Sequence, residues 1–136
     1  RVLFRSTWSD GYNISVGNPH AVVFVDDVSD AGDLKTIPTV TPREEYPEGV
    51  NVEFVKFLEN GELQMRVHER GVGETQSCGT GTVAVALAAT LKKNKNLPST
   101  WVINPPGGRL SVEVDGHSNA ILTGPAVVYG DTVVEK

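Results

Sequence analysis

The sequence contains a single cysteine, Cys78. One thiol excludes a disulfide framework within the chain and a zinc site built from several thiolates. The three histidines, His20, His68 and His117, lack the i, i+4 spacing of a zinc-binding helix, so no metal is expected. The thiol is therefore either a small buried side chain or a reactive group, and most of the functional interpretation depends on that choice.

Basic residues and long apolar runs are also scarce. Twelve Lys and Arg against seventeen Asp and Glu give a formal net charge of −5, which argues against a nucleic-acid partner and a polybasic membrane patch. The longest apolar run, Val83–Ala89, is far shorter than the roughly 18–20 residues that cross a bilayer. No signal peptide is visible. With 136 residues, 39% of them hydrophobic, the chain is expected to form one compact domain.

The first six residues, Arg1–Ser6, read like translated sequencing-adapter DNA. We interpret them as a non-native scar, with a genuine first strand as the alternative. If they are a scar, the native protein continues upstream, and the chain is a C-terminal fragment.

The hydrophobic pattern predicts strands around one helix. Ala21–Val25 is a β-branched and aromatic run typical of a buried strand. Gly79–Lys93 is apolar on nearly every side, which predicts a buried helix. Short strands are expected after it at 101–103, 109–114, 120–122, 126–129 and 132–134. The predicted fold class is α+β: a curled, mostly antiparallel sheet wrapped around one buried central helix.

The dipeptide Asn60-Gly61 predicts a β hairpin with a two-residue turn. That turn places Asn51 directly opposite Arg70, with Glu69 one step along the strand. These polar residues would then gather at the sheet edge where the loop Gly71–Ser77 leads to Cys78. Their convergence favours a functional site over a solvated strand end or a Glu69–Arg70 ion pair.

Cys78 stands immediately before the segment Gly79–Thr82, at the predicted start of the helix. Unpaired backbone N–H groups and the helix dipole favour a thiolate there. The glycines leave room for a ligand carboxylate to accept those N–H groups. A thiolate beside a carboxylate cradle suits removal of a proton from the carbon next to that carboxylate. The alternative is a buried cysteine that packs like alanine.

The segment Gly79–Ala84 also fits the loose dinucleotide-binding pattern of glycines. That pattern requires a hydrophobic strand directly before it, and Gly73–Ser77 is not one. An acidic residue about 20 positions further on is missing too, and so is the Gly-Lys-Ser/Thr of a phosphate-binding loop. No nucleotide cofactor is therefore expected.

His20 ends the segment Gly17–His20, just before the predicted buried strand. A turn at a strand end is a common place for a functional polar side chain. The alternative is a turn in which Asn18 and His20 only satisfy the local backbone.

Four motifs together carry a family resemblance: Gly17–His20, Asn51–Phe54, Glu69–Thr75 and Cys78–Gly81. From about Val16 onwards the chain resembles the C-terminal half of diaminopimelate epimerase. The resemblance implies a cytoplasmic, bacterial isomerase that interconverts LL- and meso-diaminopimelate without cofactor, and therefore without pyridoxal phosphate. It also implies a role in lysine and peptidoglycan biosynthesis.

The same resemblance implies two pseudo-symmetric domains with one catalytic cysteine each. Residues 7–126 would be the C-terminal domain, and residues 127–136 a strand that returns to the missing N-terminal domain with the second cysteine. The chain alone is then expected to be inactive, and a homodimer is left open. Alternatives are a proline-racemase-like or phenazine-synthesis-like isomerase, or a non-catalytic ligand-binding half-domain with an inert thiol.

The site residues also follow from the resemblance. Cys78 would be the acid/base cysteine, Glu69 would contact the substrate near the reacting centre, and His20 would support proton transfer. The remaining residues would bind the substrate diaminopimelate: Gly79 and Thr80 its reacting carboxylate, and Asn18, Asn51 and Arg70 its distal end.

Overall fold

The computed structural model describes residues 1–4, 6–76, 78–93, 96, 98–115 and 119–124. Within these residues there are a main sheet of eight strands, a second sheet of three and one α helix. The strands are β1 Val2–Phe4, β2 Thr7–Ser9, β3 Tyr12–Ser15, β4 Pro19–Phe24, β5 Thr39–Val40, β6 Asn51–Phe57, β7 Leu63–Glu69, β8 Gly73–Thr75, β9 Ser99–Asn104, β10 Leu110–Val114 and β11 Ala120–Thr123. The helix, α1, is Gly79–Lys92, and short 3-10 helices form at Val28–Ala31 and Arg43–Glu45.

The main sheet has the strand order β11-β10-β9-β7-β6-β4-β3, with β8 paired to β7. The pairs β4–β6 and β7–β9 are parallel, and the other five described pairs are antiparallel. The sheet curls around α1. The predicted α+β class, a mostly antiparallel curled sheet with one central helix, is confirmed.

Strands β4 and β6 carry apolar residues at successive positions because both faces of the sheet are covered there. On β4, Val22 packs in the cluster under α1, whereas Val23 belongs to the cluster on the opposite face. On β6, Val55 belongs to the cluster under α1 and Phe54 to the cluster on the opposite face. Strands buried on both sides lose the apolar–polar alternation of a half-exposed strand.

The small sheet, in the order β2-β1-β5, pairs Val2 of β1 with Val40 of β5. Both side chains belong to the cluster on the face of the main sheet opposite α1, and Val2 is fully buried there. Residues 2–4 therefore form a packed strand. The interpretation of Arg1–Ser6 as a scar concerns their origin rather than their conformation, and it stays a prediction.

Helix α1 starts at the predicted residue and ends one residue earlier than predicted. Its alanines are fully buried against the sheet, since small side chains allow a close approach. The predicted burial of this central helix is confirmed, although Val83, Leu87 and Leu91 form a stripe that is only partly covered. Leu91 is 62% exposed. The stripe lines an open groove between β3 and the β10–β11 end of the sheet, and these two sheet ends are not hydrogen-bonded to each other among the described strands.

The hairpin forms between β6 and β7, but its predicted register is wrong by one residue. Val52 pairs with His68 and Glu53 with Val67. The loop has three residues rather than two: the Leu58 N–H donates to the Glu62 carbonyl at 2.8 Å, and the Gly61 N–H donates to the Leu58 carbonyl at 3.0 Å. Gly61 is the loop residue with positive φ, at 85°, as in a type I turn closed by a left-handed residue.

Two further expectations concern the segments on either side of α1. The predicted loop Gly71–Ser77 contains a short strand, β8, because Gly71 and Gly73 at positive φ reverse the chain along β7. The predicted strands 126–129 and 132–134, and the proposed returning strand 127–136, lie outside the described residues. No α helix in the described part of the chain is long and apolar enough to span a membrane.

We predict that Gly61→Ala lowers the free energy of unfolding by about 1–2 kcal/mol, because a Cβ is disfavoured in the left-handed conformation. Urea unfolding followed by circular dichroism measures this change. Glu59→Ala is the matched control, since Glu59 is exposed in the same loop and lacks a positive φ. Equal stability of the two variants would contradict the three-residue loop.

Candidate active site

Cys78 is the N-cap residue of α1, with an extended backbone at φ −139° and ψ 113°. Its carbonyl accepts hydrogen bonds from the Thr82 N–H at 2.9 Å and the Thr82 hydroxyl at 2.8 Å, which fixes the first turn. The half-buried Cys78 Sγ lies 3.5 Å from Thr80 Oγ1. The thiol therefore stands at the positive end of the helix and remains partly accessible.

The turn before β4 brings Asn18 and His20 to the same place. Asn18 Nδ2 donates to Thr80 Oγ1 at 3.3 Å. His20 is fully buried, and its Nε2 lies 3.2 Å from Asn18 Oδ1. Asn18 thus links the first turn of α1 to a histidine inside the core, and it does more than satisfy the local backbone.

Glu53 on β6 is the residue of this cluster to which sequence reasoning assigned no role. Its fully buried carboxyl is hydrogen-bonded to His20 Nδ1 through Oε1, and Oε2 has no partner. Burial away from water raises the pKa of the Glu53 carboxyl, and the hydrogen bond and charge of His20 oppose that shift. The available signal was an acidic residue between apolar neighbours in a predicted strand.

Gly81 provides the space for this carboxyl. A Cβ built on Gly81 would lie 2.9 Å from Glu53 Oε1 and 3.3 Å from Cys78 Sγ. A Cβ on Gly79 would meet only Leu122 Cδ2, at 3.6 Å, which is an ordinary contact. The two glycines of the motif therefore serve different purposes: Gly81 accommodates the core, and Gly79 lies at the exposed helix start.

Asn51 joins the start of β6 to two neighbouring segments. Its Nδ2 donates to the Pro19 carbonyl at 2.9 Å, and its Oδ1 accepts from the Arg70 N–H at 2.7 Å. The expected proximity of Asn51 and Arg70 is thus real, although it arises from a side-chain contact with the backbone rather than from direct cross-strand pairing.

Glu69 and Arg70 lie at the end of β7, and they form no ion pair with each other. The stem of Arg70 lies against Gly49, where a Cβ would be 3.3 Å from Arg70 Cγ and Cδ. The Arg70 side chain is exposed and Glu69 is half-buried. Within the described residues, neither side chain is hydrogen-bonded to the Cys78 cluster.

The described residues contain no group of three His, Cys, Asp or Glu side chains that could hold a metal ion. The structure instead joins Asn18, His20, Cys78 and Thr80 in one hydrogen-bonded cluster, with Asn51 and Arg70 linked to it through Pro19. A half-buried thiol, helix-start amides and an exposed guanidinium together can bind a carboxylate and exchange a proton beside it.

Comparison with known sequences gives a consistent result. The family model for diaminopimelate epimerase matches residues 12–129. A diaminopimelate epimerase of Streptomyces coelicolor is 44% identical over 124 residues, which cover 88% of this chain and 43% of that protein. One of Oceanobacillus iheyensis is 43% identical over 116 residues, which cover 85% of this chain and 40% of that protein. The chain spans less than half the length of these curated relatives.

Comparison with solved structures supports the architecture. A Clostridium difficile protein assigned to the PhzC/PhzF group of phenazine biosynthesis proteins has a TM-score of 0.50 with 19% sequence identity. The match covers 79% of this chain and 39% of that chain. At this identity the likeness shows a shared fold and leaves the reaction open.

We predict that Gly81→Ala lowers the free energy of unfolding by about 1–3 kcal/mol, because the added Cβ would come within 2.9 Å of the fully buried Glu53 carboxyl. A loss of stability would be informative, since alanine in a helix interior is otherwise favoured over glycine by about 1 kcal/mol.

Gly79→Ala is the matched control for this prediction, because it lies in the same turn and its Cβ has space. It should leave stability unchanged or raise it slightly. Urea unfolding of both variants measures the difference. If Gly81→Ala were as stable as Gly79→Ala, the close approach of Glu53 to the helix start would be refuted.

Proposed function

The chain belongs to the diaminopimelate epimerase family, and we propose that it is the C-terminal domain of a cofactor-independent epimerase. The whole enzyme would interconvert LL- and meso-diaminopimelate, in lysine and peptidoglycan precursor synthesis. The observation that carries the proposal is the half-buried thiol of Cys78 at the N-cap of α1, within a hydrogen-bonded polar cluster.

Cys78 exchanges the proton on one face of the reacting carbon. As a thiolate it takes the α-proton, the C–H bond breaks, and the electron pair moves into the adjacent carboxylate. A thiol from a second domain then donates a proton to the opposite face and becomes the thiolate. For the other stereoisomer the two sulfurs exchange roles, so the reaction is balanced without an external acid or base.

The first turn of α1 stabilises the charge that develops on the carboxylate. The first described intrahelical bond of this turn is from the Thr82 N–H, so the N–H groups of Gly79 and Thr80 precede the helical pattern. Donors of this kind, aimed at a developing oxyanion, contribute about 3–4 kcal/mol each in known enzymes. These two amides bind the reacting carboxylate.

The distal end of the substrate carries a second carboxylate and an ammonium group. Arg70 binds that carboxylate, since its guanidinium is exposed and in no ion pair with the described residues. Asn18 and Asn51 each retain amide hydrogen-bonding capacity beyond their contacts within the chain. Glu69 contacts the substrate near the reacting centre, and His20 supports proton transfer.

Two alternatives concern the same site. A shared fold with phenazine biosynthesis proteins does not select their chemistry, whereas the family match over most of the chain favours diaminopimelate. A ligand-binding half-domain with an inert thiol requires that Cys78 act only as a packing residue. Thiol reactivity separates this second alternative from catalysis.

We predict that Cys78 of the folded chain reacts with iodoacetamide at pH 7 faster than Cys78 of the same chain unfolded in urea. Only the thiolate is nucleophilic, and the helix start favours that form. The unfolded chain has no helix start and is the reference for an ordinary thiol. Because Cys78 is the single cysteine, mass spectrometry follows one site.

The control is Cys78→Ala, which measures labelling of other groups. A folded chain that reacts no faster than the unfolded chain would support the inert, ligand-binding alternative and contradict the proposed function.

We also predict that the chain alone does not convert LL- to meso-diaminopimelate, because inversion needs a proton donor on the opposite face. Chiral chromatography of the products measures turnover. Addition of an N-terminal domain from a diaminopimelate epimerase relative should restore activity, and Cys78→Ala should abolish it in the mixture. Rapid turnover by the chain alone would refute the two-thiol reaction.

A further inference from the structure

A continuous line of hydrogen bonds connects a buried carboxyl to the thiol. It starts at Glu53 Oε1, which is bonded to His20 Nδ1. It continues from His20 Nε2 to Asn18 Oδ1 at 3.2 Å, and from Asn18 Nδ2 to Thr80 Oγ1 at 3.3 Å. It ends between Thr80 Oγ1 and Cys78 Sγ at 3.5 Å.

Such a line has two possible directions. If His20 Nε2 carries a proton, it donates to Asn18 Oδ1, so Asn18 Nδ2 donates to Thr80 and the Thr80 hydroxyl can donate to sulfur. If Nε2 is bare, the Asn18 amide must flip, so that its Nδ2 donates to Nε2 and its Oδ1 accepts from the Thr80 hydroxyl. The thiol would then have to donate to Thr80. The first direction stabilises a thiolate, and the second stabilises a thiol.

Burial selects the first direction. Glu53 and His20 are both 0% exposed, and Glu53 Oε2 has no hydrogen-bond partner. A pair that holds only one proton would keep an uncompensated negative charge there, which is costly away from water. With two protons the pair is neutral. A proton on Oε2 would be a buried donor without an acceptor, so one proton lies between Oε1 and Nδ1 and the other remains on Nε2.

Besides His20, the ionisable group near Glu53 is Cys78, since a Cβ on Gly81 would lie 2.9 Å from Glu53 Oε1 and 3.3 Å from Cys78 Sγ. A thiolate there would make a second negative charge on the Glu53–His20 pair still more costly. The neighbours of Glu53 in the sheet are Val22 on β4 and Val67 on β7. The first turn of α1, which packs against the carboxyl at Gly81, is uncharged. The ionisable group in contact with Glu53 is therefore His20.

We propose that Glu53 is a positioning residue for Cys78: it keeps a proton on His20 Nε2 and so directs the donors of Asn18 and Thr80 towards the sulfur. This inference rests on the proposed function, in which Cys78 acts as a thiolate. Glu53 touches neither substrate nor sulfur. It acts through His20, and its effect reaches the reacting group as a hydrogen bond from the Thr80 hydroxyl.

The protonation of His20 can be observed directly in the unmodified chain. Nitrogen-15 NMR of the imidazole distinguishes a nitrogen that carries hydrogen from one that accepts a hydrogen bond. We expect Nε2 of His20 to carry hydrogen between pH 6 and 8. A bare Nε2 with the proton on Nδ1 would overturn the proposal.

Variants test whether the direction of these hydrogen bonds affects the reactivity of the Cys78 thiol. Glu53→Met fills the same space but cannot donate to Nδ1, and we expect the alkylation rate of Cys78 at neutral pH to fall about three- to tenfold, as loss of a charge-assisted hydrogen bond implies. Glu53→Gln has an amide N–H that can donate to Nδ1, so it should retain most of the rate. Equal rates for both variants would indicate a space-filling role and overturn the proposal.

Thr80→Val provides the same test outside the core, since Thr80 is exposed. It should lower the rate by the same factor, and Glu53→Met combined with Thr80→Val should give no further loss, because both changes interrupt one line. Additive losses, or an unchanged rate in Thr80→Val, would overturn the proposal. The matched controls are Glu113→Met and Glu113→Gln at an exposed position of β10, which should leave the rate unchanged.

These outcomes differ from failure of the proposed function. If the wild-type thiol reacts like that of the unfolded chain, the catalytic assignment of Cys78 fails, whatever the state of His20. If the wild-type thiol is reactive but Glu53→Met is equally reactive, the function stands and the role of Glu53 fails.

Discussion

The first turn of α1 packs directly against a buried carboxyl–imidazole pair, and this contact constrains every group around the thiol. A side chain at position 81 would collide with Glu53 Oε1, which occupies the space beside Gly81. The His20 ring lies in the core and holds Asn18, which in turn contacts Thr80. The polar groups at the surface are therefore held in place by side chains inside the core, and such support preorganises a site.

The site lies where several elements meet at one corner of the sheet. β4 and β6 are parallel and begin there, β7 is antiparallel to β6 and ends there, and α1 begins close by. The middle of β4 and the middle of β6 are buried on both faces, and the polar side chains of the site lie at or near the starts of these two strands. Asn51 secures the corner through hydrogen bonds to the Pro19 carbonyl and the Arg70 N–H. The apolar strand centres thus form the core, and the polar residues near the strand ends form the candidate site.

The proposed reaction needs more than this corner contains. One sulfur can approach one face of a planar carbanion, so inversion depends on an acid from elsewhere. The chain spans less than half the length of its curated relatives, which agrees with a two-domain reaction. At this corner the described residues provide the thiol of Cys78, the amides of the helix start and the exposed guanidinium of Arg70.

Local sequence determined the helix and its start, since glycines followed by small apolar residues and terminal lysines favour a helix with Cys78 at its N-cap. It also determined the central strands and the identity of the motif residues. The tertiary structure decided the role of Glu53, because its orientation depends on a hairpin register that differs by one residue from the expected one. Side chains alternate along a strand, so a shift of one residue exchanges the core face for the opposite face. The Asn60-Gly61 dipeptide is compatible with a two-residue and a three-residue loop, so it did not fix the register by itself. The histidine from β4 that receives the carboxyl lies 33 residues from Glu53 in sequence, and no local pattern encodes that contact.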